Sequence, residues 1–114
     1  MQISLQYFDG CPSWRTLDER LRSVLEAAGR AETITYVRVE TDDDAQCLQF
    51  HGSPTILIDG RDPFEGSGLP IGLTCRLYRT PDGMAGSPTT EQLVAVINSR
   101  NSLSLRRAYV RRTV

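Results

Sequence analysis

Cys11 is the residue of this chain best placed for chemistry, because it stands between a predicted strand over residues 2–8 and a predicted helix over about 12–28. A thiol there lies near unpaired backbone N–H groups and the positive end of the helix dipole, which stabilise a thiolate. Such a thiolate could attack a disulfide, a peroxide or another electrophile, or bind a soft metal ion. The position three residues further on holds Trp14. The local pattern therefore predicts a monothiol, the alternative being an inert small side chain on a scaffold.

Three side chains could assist this thiol, and each also has an ordinary structural interpretation. Asp9 could donate or relay a proton, although Asp9-Gly10 is equally typical of a turn after a strand. His51 is the only histidine, and histidine is the side chain that ordinarily exchanges a proton near neutral pH. It could instead face solvent at the end of a helix. Trp14 could shape a substrate surface over the thiol, anchor the first helical turn, or do both.

The other two cysteines are interpreted as structural, the alternative for Cys75 being a resolving thiol that the long loop brings to Cys11. Cys47 falls in a short predicted helix, and Cys75 begins a predicted fourth strand. In a hairpin topology that strand starts at the sheet end opposite Cys11, which would hold the two Cα atoms beyond the roughly 7 Å limit for a disulfide. An odd number of widely spaced cysteines also argues against a disulfide framework or a closed zinc site. We expect reduced thiols, no metal and no cofactor.

Apolar periodicity predicts seven elements in the order βαβαββα. Strands are predicted at 2–8, 33–40, 55–58 and 74–79, and helices at about 12–28, at 41–50 and from Ser87-Pro88 onward, with a long loop at 60–73. Such an order predicts an α/β fold with a four-stranded mixed sheet and helices on both faces.

Length and charge give the expected domain organisation. The 114 residues suffice for one domain, over residues 1–99, followed by a basic tail at 100–114 that we expect to be flexible. That tail holds arginines and no acid, whereas the body is acidic, and five charges on a tail do not indicate a nucleic-acid binder. No apolar run is long enough to span a bilayer, and no basic leader precedes the first strand. We expect no membrane association and a cytoplasmic location.

Two stretches resemble the thioredoxin-like superfamily, over roughly residues 1–99. One is Cys11-Pro12-Ser13-Trp14, and the other is His51-Gly52-Ser53-Pro54-Thr55 before the third strand. The resemblance implies that Pro54 is cis and faces Cys11. It also implies that the Ser53 backbone pairs with an extended thiol substrate, with Pro12 and Ser13 completing the substrate surface.

A narrower resemblance is to small bacterial thioredoxin-like proteins, some of which are labelled alkylmercury lyase-like. It rests on residues 7–12, 52–55 and 72–80. The chain departs from dithiol thioredoxins in lacking the second motif cysteine and in having no acid in residues 3–8 beneath the motif.

The expected function is thiol–disulfide oxidoreductase chemistry at Cys11, with a low-molecular-weight thiol or a protein thiol or disulfide as partner. The alternatives are a thiol-based sensor, a soft-metal or organomercurial-binding protein, and a non-catalytic scaffold. Organomercurial cleavage would need two thiolates and an acid, of which Asp9 could supply the acid.

Overall fold

A computed structural model of the chain describes residues 1–64 and 68–98. The basic tail at 100–114, expected to be flexible, and the domain boundary at 99 lie outside the described residues. The described elements, in chain order, are β1 (Ile3–Tyr7), α1 (Ser13–Ala27), β2 (Ile34–Arg38), α2 (Asp42–Leu48), β3 (Thr55–Ile58), β4 (Tyr78–Thr80), β5 (Gly83–Ala85) and α3 (90–98).

A three-stranded mixed sheet forms the centre of the fold, in the order β2-β1-β3. The middle strand runs parallel to β2 and antiparallel to β3, so that Ile3 lies opposite both Ile34 and Ile58. The expected mixed α/β architecture is thereby confirmed. Its geometry also places the end of β1 and the start of β3 at the same edge of the sheet.

The segment predicted as a fourth strand takes a different path. Tyr78–Thr80 pairs with β5 in a separate antiparallel hairpin, and residues 74–80 form a single β-bridge to the sheet side, in parallel between Cys75 and Ser53. Between them Arg76 turns inward to pair with Asp62, while Leu77 is 56% exposed. Pairing this buried charge takes precedence over continuing a strand ladder. The described residues therefore form a three-stranded sheet and a hairpin rather than the predicted four-stranded sheet.

The larger hydrophobic core, which we call the first core, lies between the sheet and the helices α1 and α3. Side chains alternate along a strand, so every second residue of β1 points to this face. Its fully buried members are Ile3, Leu5, Leu17, Leu21, Ile56, Leu93 and Ile97.

A smaller second core lies on the other face of the sheet, against α2. Its buried members are Val39, Ala45 and Phe50, and Phe8, Ile71 and Leu73 pack against them. Helices thus cover both faces, and the second core supports the chain on either side of the Ser53 turn.

Helix starts follow local capping chemistry. The Thr41 hydroxyl accepts a hydrogen bond from the Asp44 N–H at 3.0 Å, which starts α2 where the sequence predicts it. The last helix is capped by Thr89 rather than by Ser87-Pro88, because Thr89 and Gln92 exchange reciprocal side-chain bonds. Within the described ranges, none of the helices combines the length and apolar character that a bilayer crossing requires.

Candidate functional site

Cys11 occupies the turn that joins β1 to α1. Its backbone N–H donates to the Phe8 carbonyl at 3.3 Å, and Pro12 is the N-cap residue of the helix. The Cys11 side chain is almost completely buried, with 1% of the residue exposed. The predicted placement at a helix N-terminus is confirmed, but the thiol faces inward rather than toward solvent.

Ser53 connects this turn to the start of β3. Its peptide bond to Pro54 is cis, as the resemblance implied, and Ser53 itself is fully buried. The Cys11 Sγ donates to the Ser53 carbonyl oxygen at 3.5 Å, and the Phe8 N–H donates to the Ser53 Oγ at 3.3 Å. The structure therefore brings Cys11 and the Ser53-Pro54 turn together.

Cys75 lies beside this pair, which the sequence did not predict. The Ser53 N–H donates to the Thr74 carbonyl at 2.8 Å, and the Arg76 N–H donates to the Ser53 carbonyl at 2.9 Å. These two bonds hold Cys75 in parallel register with Ser53, whose carbonyl oxygen also accepts the Cys11 S–H, so that both cysteines adjoin the same residue. The expectation that Cys75 lies at the opposite sheet end is wrong. It assumed an antiparallel hairpin after β3, whereas the observed pairing at this point is parallel.

The Cys75 thiol is exposed, yet it is a weak acid. A side-chain hydrogen bond with Cys11, loss of hydration and the Cys11 charge together raise the pKa of Cys75 to about 11. At neutral pH the exposed sulfur of the pair keeps its proton.

Cys11→Ala is expected to lower the pKa of Cys75 toward that of an ordinary thiol, about 8.5, because it removes both the hydrogen-bond partner and the neighbouring charge. The measurement is the pH dependence of Cys75 alkylation by iodoacetamide, located by peptide mapping in a Cys47→Ser background. Cys11→Ser serves as the control, since its hydroxyl preserves a hydrogen-bond partner without a thiolate charge. An unchanged midpoint in Cys11→Ala would show that Cys11 does not raise the pKa of Cys75.

Arg76 anchors the segment that carries Cys75. Its guanidinium is 1% exposed and binds the Asp62 carboxylate at 2.5 Å, and it also lies over the Tyr78 ring at 4.4 Å from the centroid. Weaker contacts at 3.4 Å join it to the Thr55 hydroxyl and the Phe64 carbonyl. Sequence reasoning missed this residue, because an arginine within an apolar run gives no signal of the carboxylate that pairs with it.

Gly52 allows the same segment to approach the turn. Its φ is +109°, and a Cβ there would lie 3.0 Å from the Arg76 Cβ and 3.2 Å from the Thr74 carbonyl oxygen. Glycine is therefore required both by backbone conformation and by the close approach of the chain.

The two residues considered for proton transfer, His51 and Asp9, contact groups other than the Cys11 thiol. The His51 Nδ1 donates to the Leu69 carbonyl at 2.6 Å, which turns the ring toward the 68–70 loop. The Asp9 carboxylate pairs with Arg38 at 2.5 Å in a largely exposed ion pair. The observed contacts of both residues thus support their structural interpretations.

The remaining candidate residues either pack against the first core or lie at the start or on the surface of a helix. Trp14 stacks on Tyr7 with centroids 4.2 Å apart and packs against the first core, which supports the anchoring role. Pro12 is exposed beside Cys11, and Ser13 is the first residue of α1. Cys47 lies exposed on α2.

No family model, curated protein or solved structure matches this chain. The chemistry of the site must therefore be argued from its own geometry.

That geometry places two cysteines beside Ser53 at a helix N-terminus, one buried and one exposed. Such a pair can exchange two electrons by forming one S–S bond. Within residues 1–64 and 68–98, no group of three or more histidine, cysteine or acidic side chains is arranged to hold a metal ion. Two-coordinate binding of a soft cation between the two sulfurs is compatible with this arrangement.

Proposed function

We propose that this protein is a thioredoxin-like thiol–disulfide oxidoreductase of the cytoplasm in which Cys11 works together with Cys75. The observation that carries the proposal is that both cysteines adjoin Ser53: the Cys11 Sγ donates to its carbonyl oxygen, and Cys75 forms a parallel bridge with it. The sequence alone suggested a monothiol that needs an external resolving thiol. With Cys75 adjacent, the second sulfur is supplied by the same chain.

The reaction is a two-electron exchange. An external disulfide is cleaved to two thiols, while the S–H bonds of Cys11 and Cys75 are broken and one S–S bond forms between them. The two protons from the protein thiols pass to the released thiols, and the two electrons pass with them. Reduction by an external dithiol, or by two equivalents of a monothiol, runs the same steps in reverse.

The environment of each sulfur supports this assignment. Cys11 is held at the start of α1 with its Sγ on the Ser53 carbonyl, and Cys75 is bridged to the same residue with its side chain exposed. The mixed sheet with helices on both faces, together with the position of Cys11 before α1 and Pro54 before β3, supports the thioredoxin-like assignment.

The test is a redox titration of the Cys47→Ser protein with oxidised and reduced glutathione. Alkylation of the remaining thiols followed by intact mass analysis is expected to show the loss of both alkylatable thiols in one step, reversed by dithiothreitol. Cys11→Ser and Cys75→Ser, each in the same background, are expected to lose the intramolecular bond and the catalysed reduction of a small disulfide. Retention of two free thiols in oxidised buffer would refute the proposal.

A second candidate function is capture of a soft metal ion, favoured by the placement of Cys11 and Cys75 beside the same residue, Ser53. It accounts for the second sulfur that an organomercurial-binding site requires, although Asp9 is held by Arg38 rather than facing the thiols. Titration with Hg²⁺ is then expected to show one tightly bound ion per chain of the Cys47→Ser protein. Adding Cys11→Ser or Cys75→Ser to this protein is expected to abolish the tight binding. Equal affinity in a single-cysteine variant would exclude a two-sulfur site.

A further inference from the structure

The backbone edge expected to bind a substrate is already occupied. An extended peptide would pair with the N–H and C=O groups of Ser53, as a strand adds to a sheet edge. In this structure the Ser53 N–H is bonded to Thr74 and its carbonyl to Arg76, at 2.8 and 2.9 Å. The chain's own segment therefore takes the place of the extended substrate, with Cys75 between those two bonds.

Access from solvent differs sharply between the two sulfurs. Cys11 is 1% exposed and its sulfur lies against the Ser53 carbonyl, whereas Cys75 is exposed. Thiol exchange requires the attacking sulfur to reach the attacked sulfur nearly in line with the bond that breaks. Only Cys75 offers such an approach in this conformation.

The occupied edge is held firmly. Buried Arg76 is anchored by Asp62 one residue beyond Cys75, and the segment lies so close to Gly52 that a Cβ there would be 3.0–3.2 Å from atoms of Thr74 and Arg76. A protein substrate would have to displace this anchored segment before it could pair with Ser53.

We propose that external thiols attack the oxidised pair at the Cys75 sulfur, and that the site serves low-molecular-weight thiols rather than extended protein segments. This inference rests on the proposed oxidoreductase function. It reverses the roles expected from the sequence, since Cys11 becomes the internal sulfur and Cys75 the one that meets the substrate.

The steps balance for reduction of the oxidised protein by a small thiol. A thiolate RS⁻ attacks the Cys75 sulfur, the Cys11–Cys75 bond breaks, and Cys11 leaves as a thiolate at the helix N-terminus. A second RS⁻ attacks the sulfur of R in the mixed disulfide, which releases RSSR and leaves Cys75 as a thiolate that takes up a proton. Two electrons pass from two thiols to the protein disulfide.

The first experiment maps the mixed disulfide. The oxidised Cys47→Ser protein is treated briefly with glutathione, quenched with acid and digested, and the glutathione adduct is expected on Cys75. An adduct mainly on Cys11 would overturn this inference alone. Failure to obtain the Cys11–Cys75 disulfide at the outset would instead overturn the proposed function.

The second experiment compares single thiols. With a small chromogenic aromatic disulfide, Cys75 in Cys11→Ser/Cys47→Ser is expected to react about tenfold or more faster than Cys11 in Cys47→Ser/Cys75→Ser, because Cys11 is buried. Adding Gly52→Ala to the latter protein is expected to speed the reaction of Cys11 by displacing the Thr74–Arg76 backbone. Gly83→Ala is the matched control, since Gly83 has φ +106° and open space around its missing Cβ. Equal rates for the two single thiols would contradict the inference.

The third experiment tests the substrate class. Reduction of the Cys11–Cys75 disulfide by cysteine and by glutathione is compared with reduction by an extended nine-residue peptide with a central cysteine of matched acidity. The peptide is expected to reduce the Cys11–Cys75 disulfide no faster than the small thiols do. A marked acceleration that depends on peptide length would indicate pairing with the Ser53 edge and overturn the proposal.

Discussion

Asp62→Ala is expected to lower the free energy of unfolding by about 3–5 kcal/mol, the usual effect of leaving one partner of a buried ion pair uncompensated. The Arg76 guanidinium is 1% exposed and its closest charged partner is Asp62, at 2.5 Å. The contacts to Thr55 and Phe64, at 3.4 Å, are too long to replace a carboxylate. Urea denaturation monitored by circular dichroism provides the measurement.

The double variant Asp62→Ala/Arg76→Met is the control for this ion pair. Removing both charges leaves no unpaired ion, so we expect the double variant to be more stable than Asp62→Ala alone. If Asp62→Ala lowers the free energy of unfolding by less than about 1 kcal/mol, the ion pair behaves like an exposed salt bridge and does not anchor the Cys75 segment.

Phe50→Ala is expected to lower the free energy of unfolding by about 3–5 kcal/mol, because it removes a fully buried aromatic ring from the second core. Phe50 belongs to the core that supports both the chain before Ser53 and the chain before Cys75. Ile71 and Leu73 pack on the second core, and the Phe50 carbonyl accepts the Gly72 N–H at 3.1 Å. We therefore expect the variant also to loosen the register that places Cys75 beside Cys11.

Leu93→Ala separates this local effect from general destabilisation. Leu93 is equally buried but belongs to the first core. Both variants are expected to lower the midpoint of thermal unfolding, but only Phe50→Ala is expected to reduce the yield of the Cys11–Cys75 disulfide at a temperature where both remain folded. Equal yields would show that the second core does not support the site.

Local sequence patterns predicted the elements that depend on local chemistry. The alternation of Ile3, Leu5 and Tyr7 gave β1, and the hydroxyl of Thr41 before three acidic residues gave the start of α2. The position of Cys11 at the start of α1 followed from the same reasoning. These features depend on residues a few positions apart, whose periodicity can be read without knowledge of the fold.

The partner of Cys11 could not be found in this way. Cys75 reaches Ser53 only because the chain between β3 and β4 returns in parallel register, and its glycines and prolines specify no direction. The deciding interaction is the ion pair between Arg76 and Asp62. Charge pairing across a loop leaves no periodic pattern, so the sequence indicated a hairpin and the wrong end of the sheet for Cys75.

The same long return path couples the redox state to the unfolding equilibrium. A bond between the sulfurs of Cys11 and Cys75 would close a covalent ring of roughly 65 residues containing most of the sheet, and chain-entropy arguments assign such a ring about 4 kcal/mol of stabilisation. By thermodynamic linkage, the folded protein would hold that bond against reductants by the same amount, which is about 90 mV for a two-electron couple. Reduction of the pair would then lower the free energy of unfolding, and unfolding would make the disulfide easier to reduce.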